Sequence, residues 1–260
     1  MRTISIQSFK GGTGKTISAA NFAFALNKYF KKRVLIVEAD AQSNISAYFG
    51  IDKDRDIGIA DIIVGNKIEP YSLIKKTRYD NLHIITAGLK MYTAEKYIEK
   101  NPEPYVLRRF LQQVGTEYDY CIIDNAPAFS MVSGITMTAS TQILIPVCLD
   151  LFSIEGLSQL RRQITHVKRM NNGLRLRGIF INRWKNTNAK HQALDFLNQY
   201  LRGEVSVFHT KIRESEHVSN STFMGRSFID ISGRYGVSRD FKALVGEYLH
   251  GPNWNQNRSK

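Results

Sequence analysis

The sequence predicts a single α/β domain built on a mostly parallel, twisted sheet with helices on both faces. Three observations carry this expectation. Short, β-branched and nearly continuous apolar runs recur along the chain, as strands covered on both faces require. Helical patterns follow many of these runs, and strand-then-helix alternation is the signature of parallel sheets. No internal repeat or low-complexity linker divides the 260 residues, a length that one large core can use.

In chain order, the strand-like runs are 3–8, 33–38, 82–87, 120–124, 142–147, 176–181 and 205–208. Helical patterns are expected over 15–30, 105–113, 154–170, 190–201 and 239–249. The stretch 52–80 mixes charge clusters with short apolar pieces and reads as a helical excursion between strands. The domain is expected to span 1–250. The polar tail 251–260, GPNWNQNRSK, reads as flexible.

Composition narrows the function classes. With 43% hydrophobic and 23% charged residues the chain has the profile of an ordinary soluble protein. No apolar run approaches the ~20 residues that span a bilayer. The N-terminus runs straight into a strand pattern rather than a signal peptide, so a cytoplasmic location is expected. Cys121 and Cys148 each sit in an apolar strand-like run and read as small buried hydrophobes. The six histidines are scattered without ligand spacing, which argues against a structural metal site. The net charge of +13 points to a polyanionic partner. Residues 1–150 carry 18 Lys/Arg against 15 Asp/Glu, whereas 151–260 carry 18 against 8, so the excess lies in the second half.

The first strand ends directly in Phe9-Lys10-Gly11-Gly12-Thr13-Gly14-Lys15-Thr16, and a helix begins at once. That is the setting of a phosphate loop. Glycines let the backbone curl until its N–H groups converge on phosphate oxygens, and the helix N-terminus adds its positive dipole end. Lys10, Gly11, Gly12, Thr13, Gly14, Lys15, Thr16 and Ile17 are therefore the expected phosphate cradle for ATP. Lys15 would neutralise β- and γ-phosphate charge, and the Thr16 hydroxyl would ligate Mg²⁺. The apolar strand Cys121-Ile122-Ile123 ends in Asp124, which has the pattern of a Walker B carboxylate holding Mg²⁺-bound water.

The run Lys10-Gly11-Gly12-Thr13-Gly14-Lys15-Thr16 resembles the deviant Walker A motif of the ParA/MinD family of P-loop ATPases, which carries an extra lysine. The resemblance implies that Lys10 reaches across a homodimer interface to the partner's ATP. Glu38-Ala39-Asp40-Ala41-Gln42-Ser43-Asn44 is similar to the family's D-x-D-P-Q-x-N, which implies that Asp40 helps position the hydrolytic water and the Mg²⁺ shell. Asn125-Ala126-Pro127 is close to the switch segment, and Ile154-Glu155-Gly156-Leu157 resembles an E-G-L segment. By the same resemblance Asn182, at the end of the 176–181 strand, reads the adenine edge. Ile212 and the 223–229 run match the base-side loop. Phe9 stands where the ordinary G-x-x-x-x-G-K-[ST] loop has glycine; from the family pattern the chain departs at Ile17, Glu38, Ala41 and Asn125-Ala126, and these departures bear on the hydrolysis rate rather than on nucleotide binding.

ParA-like proteins of this kind segregate plasmid or chromosomal DNA. The resemblance implies an ATP-closed homodimer that binds DNA without sequence preference at the nucleoid, and a ParB-like centromere-binding partner that triggers weak intrinsic hydrolysis. Lys185, Lys190, Lys211, Arg213 and Arg226 are the candidate DNA contacts, with Arg213 the best family match and the others chosen on local charge. With eight residues before Phe9, the short form lacking an N-terminal helix-turn-helix is expected. Three other readings stand beside this one. A MinD-like membrane ATPase needs an amphipathic basic helix near the C-terminus, where a Gly-Pro-Asn break and polar tail are found instead. An iron–sulfur reductase relative needs cysteines at the dimer face. A nucleotide-dependent scaffold would have lost turnover.

Overall fold

The computed structural model describes residues 1–8, 10–51, 57–88, 90–127 and 130–254, with the side chains of 151–155 excepted. Phe9 and part of the Ile154–Leu157 segment of the sequence reading thus lie outside the described residues.

Among the described residues seven strands form one sheet: β1 Arg2–Ile6, β2 Val34–Ala39, β3 Lys75–Lys76, β4 Leu82–Ile85, β5 Tyr120–Asn125, β6 Gln142–Val147 and β7 Arg175–Ile181. Their order is β3-β4-β2-β5-β1-β6-β7. Every pairing is parallel except β3 with β4. The expected fold class is correct, and β3, a two-residue edge of lysines, is the strand the sequence left unmarked.

The alternation of side chains explains why the strands read as continuous apolar runs. Val34 and Ile36 of β2 face one core with Ile122 of β5 and Ile84 of β4, whereas Leu35, Val37, Cys121 and Ile123 face another. Successive residues point to opposite faces, and both faces are covered. The first core is roofed by α1 (Lys15–Phe30) and α11 (Gly236–His250). The second is roofed by α3 (Ile59–Ile63), α4 (Met91–Lys100), α5 (Val106–Val114) and α6 (Met131–Ala139). A third cluster joins β6 and β7 to α7 (Leu151–Val167) and α8 (Asn188–Leu201). Three short helices complete the set: α2 (Asn44–Tyr48), α9 (Glu216–Phe223) and α10 (Phe228–Ile231).

The five expected helices are present with ends shifted by up to three residues. Thr187, for example, caps α8 by accepting from the Lys190 amide, which starts that helix before residue 190. The expected strand at 205–208 is not one. Val207 makes a single parallel bridge to Ile179, with the Phe208 amide donating to the Ile179 carbonyl, and the two amides after that, His209 and Thr210, donate to the buried Glu247 carboxylate at 2.7 and 2.8 Å. The ladder ends because a side chain takes its donors. Packing also reaches beyond residue 250: Trp254 stacks on His250 and meets Phe30 at a tilt, with ring centroids 6.2 and 5.7 Å away, while 255–260 lie outside the described residues.

Candidate phosphate-binding site

Register places the chemistry. Ile6, the last residue of β1, lies beside Asp124 of β5, and Asp124 lies beside Glu38 of β2. The loop leaving β1 is therefore flanked by the carboxyl ends of its neighbours. This is the crevice where open α/β sheets bind ligands.

The loop 10–14 is held from within. Ser8 Oγ accepts from the Thr13 hydroxyl at 3.0 Å and from the Lys10 amide at 3.3 Å. Gly12 and Gly14 adopt φ of +78° and +77°, the left-handed region that glycine enters without strain. A Cβ built on Gly11 or Gly12 would meet nothing within 4 Å, so the hollow of the loop is open. Gly14 opens α1 with no side-chain cap and no acidic residue in the first turn. The first N–H groups of α1 thus face the hollow without an internal acceptor from a cap, which is the arrangement that receives anions.

Lys15 is buried and donates to the Asn125 carbonyl, with Asp124 Oδ1 3.9 Å away. Asp124 is 1% exposed, and neither carboxylate oxygen has a hydrogen-bond partner among the described residues. Burial pushes its carboxyl up to about 7; the Lys15 ammonium and the nearby Thr16 hydroxyl pull down, while Glu38 and Asp40 push up. A sealed, unsatisfied carboxylate is costly by itself. Beside a hydroxyl, it has the oxygen chemistry that suits Mg²⁺. The residues present thus fit a magnesium nucleotide: Thr16 and Asp124 as metal-side oxygens, Lys15 and the loop amides as phosphate donors.

Asp40 follows directly on β2 and accepts from the Gln42 amide at 3.0 Å, which folds the following turn. Ser43, at φ +51°, carries the turn into α2 and accepts from the Gly88 amide at 2.9 Å. Glu38, where the resemblance has aspartate, is fully buried. Its Oε1 accepts from the Ile45 and Ser46 amides at 2.7 and 3.1 Å, and its Oε2 accepts from the Ser46 hydroxyl. The longer side chain caps α2 and so anchors the turn that presents Asp40. Asn125 is also buried: its amide donates to Ser5 Oγ and the Ile6 carbonyl, and it accepts from Thr136. It clips β5 to β1 and α6. Sequence reasoning named Glu38 and Asn125 only as departures, because nothing local shows which distant groups they bond.

On the base side, the structure brings Gly14, Ile17, Asn182 and Ile212 around one cavity of about 180 Å³. Asn182 Nδ2 donates to the Thr13 carbonyl at 2.7 Å, tying the end of β7 to the phosphate loop. Lys10 lies at the loop's rim and pairs with Asp150 at 2.8 Å. Cys148 falls just past the end of β6, partly exposed near the Thr13 carbonyl, rather than inside the strand as the sequence suggested; Cys121 is buried as expected. Both cysteines are free.

Each of the candidate DNA contacts is engaged within the protein, and Lys185 and Lys190 line one cavity. Lys185 pairs with Glu214, Arg213 grips Asp240 through both Nε and Nη2, and Lys211 lies 4.8 Å over the Trp184 ring. Lys190 donates to the Leu149 carbonyl. Arg226 belongs to a separate cluster with Asp230, Tyr79 and Lys28.

An AAA domain family matches residues 1–176. The chain is 32% identical to the sporulation initiation inhibitor protein Soj of Bacillus subtilis over 232 residues, covering 88% of this chain and 90% of that protein. It is 29% identical to the chromosome partitioning protein ParA of Myxococcus xanthus over 231 residues, covering 88% and 81%. Among solved structures, apo McdA of Cyanothece superposes with a TM-score of 0.85 at 23% identity, covering 96% of this chain and 99% of that one. The septum site-determining protein MinD of Pyrococcus horikoshii, complexed with Mg-ADP, gives 0.77 at 22% identity, covering 95% of both chains. The open hollow over an uncapped helix, the sealed Lys15–Asp124 pair and these likenesses agree: the chain belongs to the ParA/MinD-type P-loop ATPases.

Proposed function

We propose that this chain is a partition ATPase that dimerises with ATP, binds DNA without sequence preference in that state, and releases it on hydrolysis stimulated by a ParB-like centromere-binding partner. The observation that carries the reading is the buried Asp124 carboxylate, unsatisfied beside Lys15 and Thr16 beneath the phosphate loop. The names Soj and ParA borne by relatives across most of the chain's length support the choice of partition over other uses of the fold. Among the described residues no helix is long and apolar enough to cross a membrane.

The chain's own groups divide the work. Loop amides and Lys15 hold the triphosphate, and transition-state charge on it is met by the same preorganised donors. Asn182 and Ile212 hold the base. Thr16 and Asp124 would hold Mg²⁺ with the nucleotide, and the ion would supply charge neutralisation on the phosphates. Asp40, on its anchored turn, accepts a hydrogen bond from the attacking water and orients it. Lys10 leaves Asp150 to reach the partner's nucleotide. That pair is 40% and 35% exposed, so the exchange is cheap in solvent.

The test is duplex binding with ATP, with ADP and without nucleotide. Lys15→Ala abolishes nucleotide binding, Lys10→Ala binds ATP as a monomer, and Asp40→Ala remains an ATP-bound dimer on DNA. ATP-loaded wild-type protein that gains no affinity for duplex at low salt refutes the proposal.

A further inference from the structure

Two buried side-chain hydroxyls have no hydrogen-bond partner among the described residues, Ser18 Oγ and Thr138 Oγ1. Leaving a buried hydroxyl unpaired costs stability. Thr138 lies near the end of α6, outside the nucleotide site. Ser18 is different: it follows Lys15 by three residues on α1 and lines the base-side cavity of about 180 Å³, although it is only 1% exposed. Its amide is already used, donating to the Gly14 carbonyl at 2.8 Å as the helix's own bond. The usual outlet for a helical serine hydroxyl, the carbonyl four residues back, is not taken.

We propose that the Ser18 hydroxyl reads adenine, donating to a ring nitrogen beside the exocyclic amine; the inference rests on the ATP site proposed above. The lining selects the occupant. The charged residues of the cavity, Arg183, Arg213 and Glu214, are exposed, whereas Ser18, Asn182, Ile212 and Phe241 are buried. Its deep part is thus apolar with two polar groups, which suits a flat heterocycle rather than a phosphate. Asn182 narrows the choice. Its Nδ2 donates to the Thr13 carbonyl at 2.7 Å, which leaves Oδ1 as the acceptor. An acceptor and a hydroxyl in one cavity match a base that carries an amine donor next to a ring-nitrogen acceptor. Adenine has that pair, and guanine puts a carbonyl oxygen where the amine would be. One polar contact lets a planar base turn; two fix its orientation. The Ser18 hydroxyl then gains its partner only when nucleotide binds.

The test is titration calorimetry in Mg²⁺ with wild type, Ser18→Ala and Thr138→Val. Each protein receives ATP, then 7-deaza-ATP and 1-deaza-ATP, which lack one or the other ring nitrogen flanking the amine, and inorganic tripolyphosphate, which has no base. Ser18→Ala is expected to lose about three- to tenfold in ATP affinity, the worth of one neutral hydrogen bond. Wild type is expected to lose a similar factor with one deaza analogue, and Ser18→Ala to bind that analogue as well as it binds ATP. Tripolyphosphate is held equally by all three proteins, and Thr138→Val binds every ligand as wild type does. Without nucleotide, Ser18→Ala melts no lower than wild type, because it removes a hydroxyl that has no partner. Undiminished ATP affinity in Ser18→Ala, equal losses with the deaza analogues in wild type and variant, weaker tripolyphosphate binding by the variant, or a lowered melting temperature each overturn the inference. Wild type that binds ATP but gains no affinity for duplex refutes the partition reading and leaves this one standing.

Discussion

Glu38→Ala removes the side chain that anchors the Asp40 turn. The variant strips two well-placed backbone donors, Ile45 N and Ser46 N, of their buried acceptor and leaves the Ser46 hydroxyl without its carboxylate partner. An unsatisfied buried donor costs about 1–3 kcal/mol. Relief of the carboxylate's own burial offsets part of this, so the net loss is about 2–4 kcal/mol. At roughly 2–4 °C per kcal/mol for a chain of this size, the melting temperature falls by about 5–15 °C. Because Glu38 fixes α2 rather than touching phosphate, ATP affinity is retained. Turnover falls by about 10–100-fold, since a shift of about 1 Å in Asp40 misplaces the water it orients. Glu38→Gln separates hydrogen bonding from charge. Burial raises the Glu38 carboxyl above its ordinary value of 4.5, and the Ser46 and Ile45 donors only partly oppose it. A raised carboxyl binds its proton more tightly in the folded protein. Its contribution to stability is present below pH 4.5 and is lost as pH rises through the folded value. Glutamine has no such dependence, so the stability of Glu38→Gln relative to wild type improves across that window. Thermal melts from pH 4.5 upward and steady-state phosphate release check both points. A Glu38→Ala protein that melts within 1–2 °C of wild type, or that turns over normally, refutes the anchoring argument.

Asp124 gives a second pH test. With its carboxyl pushed up to about 7, a proton competes for the metal-side oxygen below that pH and not above it. Affinity for ATP in Mg²⁺ therefore rises between pH 6 and 8 in wild type and stays flat in Asp124→Asn; calorimetry that finds wild type flat as well rejects the assignment. Gly14→Ala is expected to damage the loop. The residue sits at φ +77° and its new Cβ falls 2.4 Å from Asn182 Nδ2, so about 1–2 kcal/mol of backbone strain adds to a broken Asn182–Thr13 contact. Equilibrium dialysis is expected to show at least a tenfold loss of ATP affinity. Gly11→Ala, whose Cβ meets nothing within 4 Å, leaves the melting temperature within about 1 °C and serves as the contrast.

Much of the fold was written locally. Strands such as β2 and β5 are covered on both faces, so their runs are apolar throughout and could be found by composition alone. The glycine spacing of the loop and the GKT at a strand–helix junction required no tertiary information, because the backbone curl and the helix N-terminus are themselves local. α4 was legible in hindsight: Met91, Ala94 and Ile98 are its buried positions and they repeat at helical spacing. α6 was not. Its sequence, MVSGITMTA, is β-branched and interrupted by glycine, and it is a helix because Ser130 caps it and the second core buries most of it.

The sequence by itself determined that a parallel sheet carries a glycine-rich loop at the end of its first strand, and it named Lys15, Asp40 and Asp124 as that loop's candidate partners. These depend on residue type and short spacing. Tertiary structure alone decided that Glu38 serves as a helix cap, that Asn125 clips two strands and a helix, and that Arg213, Lys185 and Arg226 among the DNA candidates pair with Asp240, Glu214 and Asp230. The physical reason is that charge and hydrogen-bonding capacity are carried by the residue, but whether they are spent or available depends on neighbours brought close by packing from far along the chain.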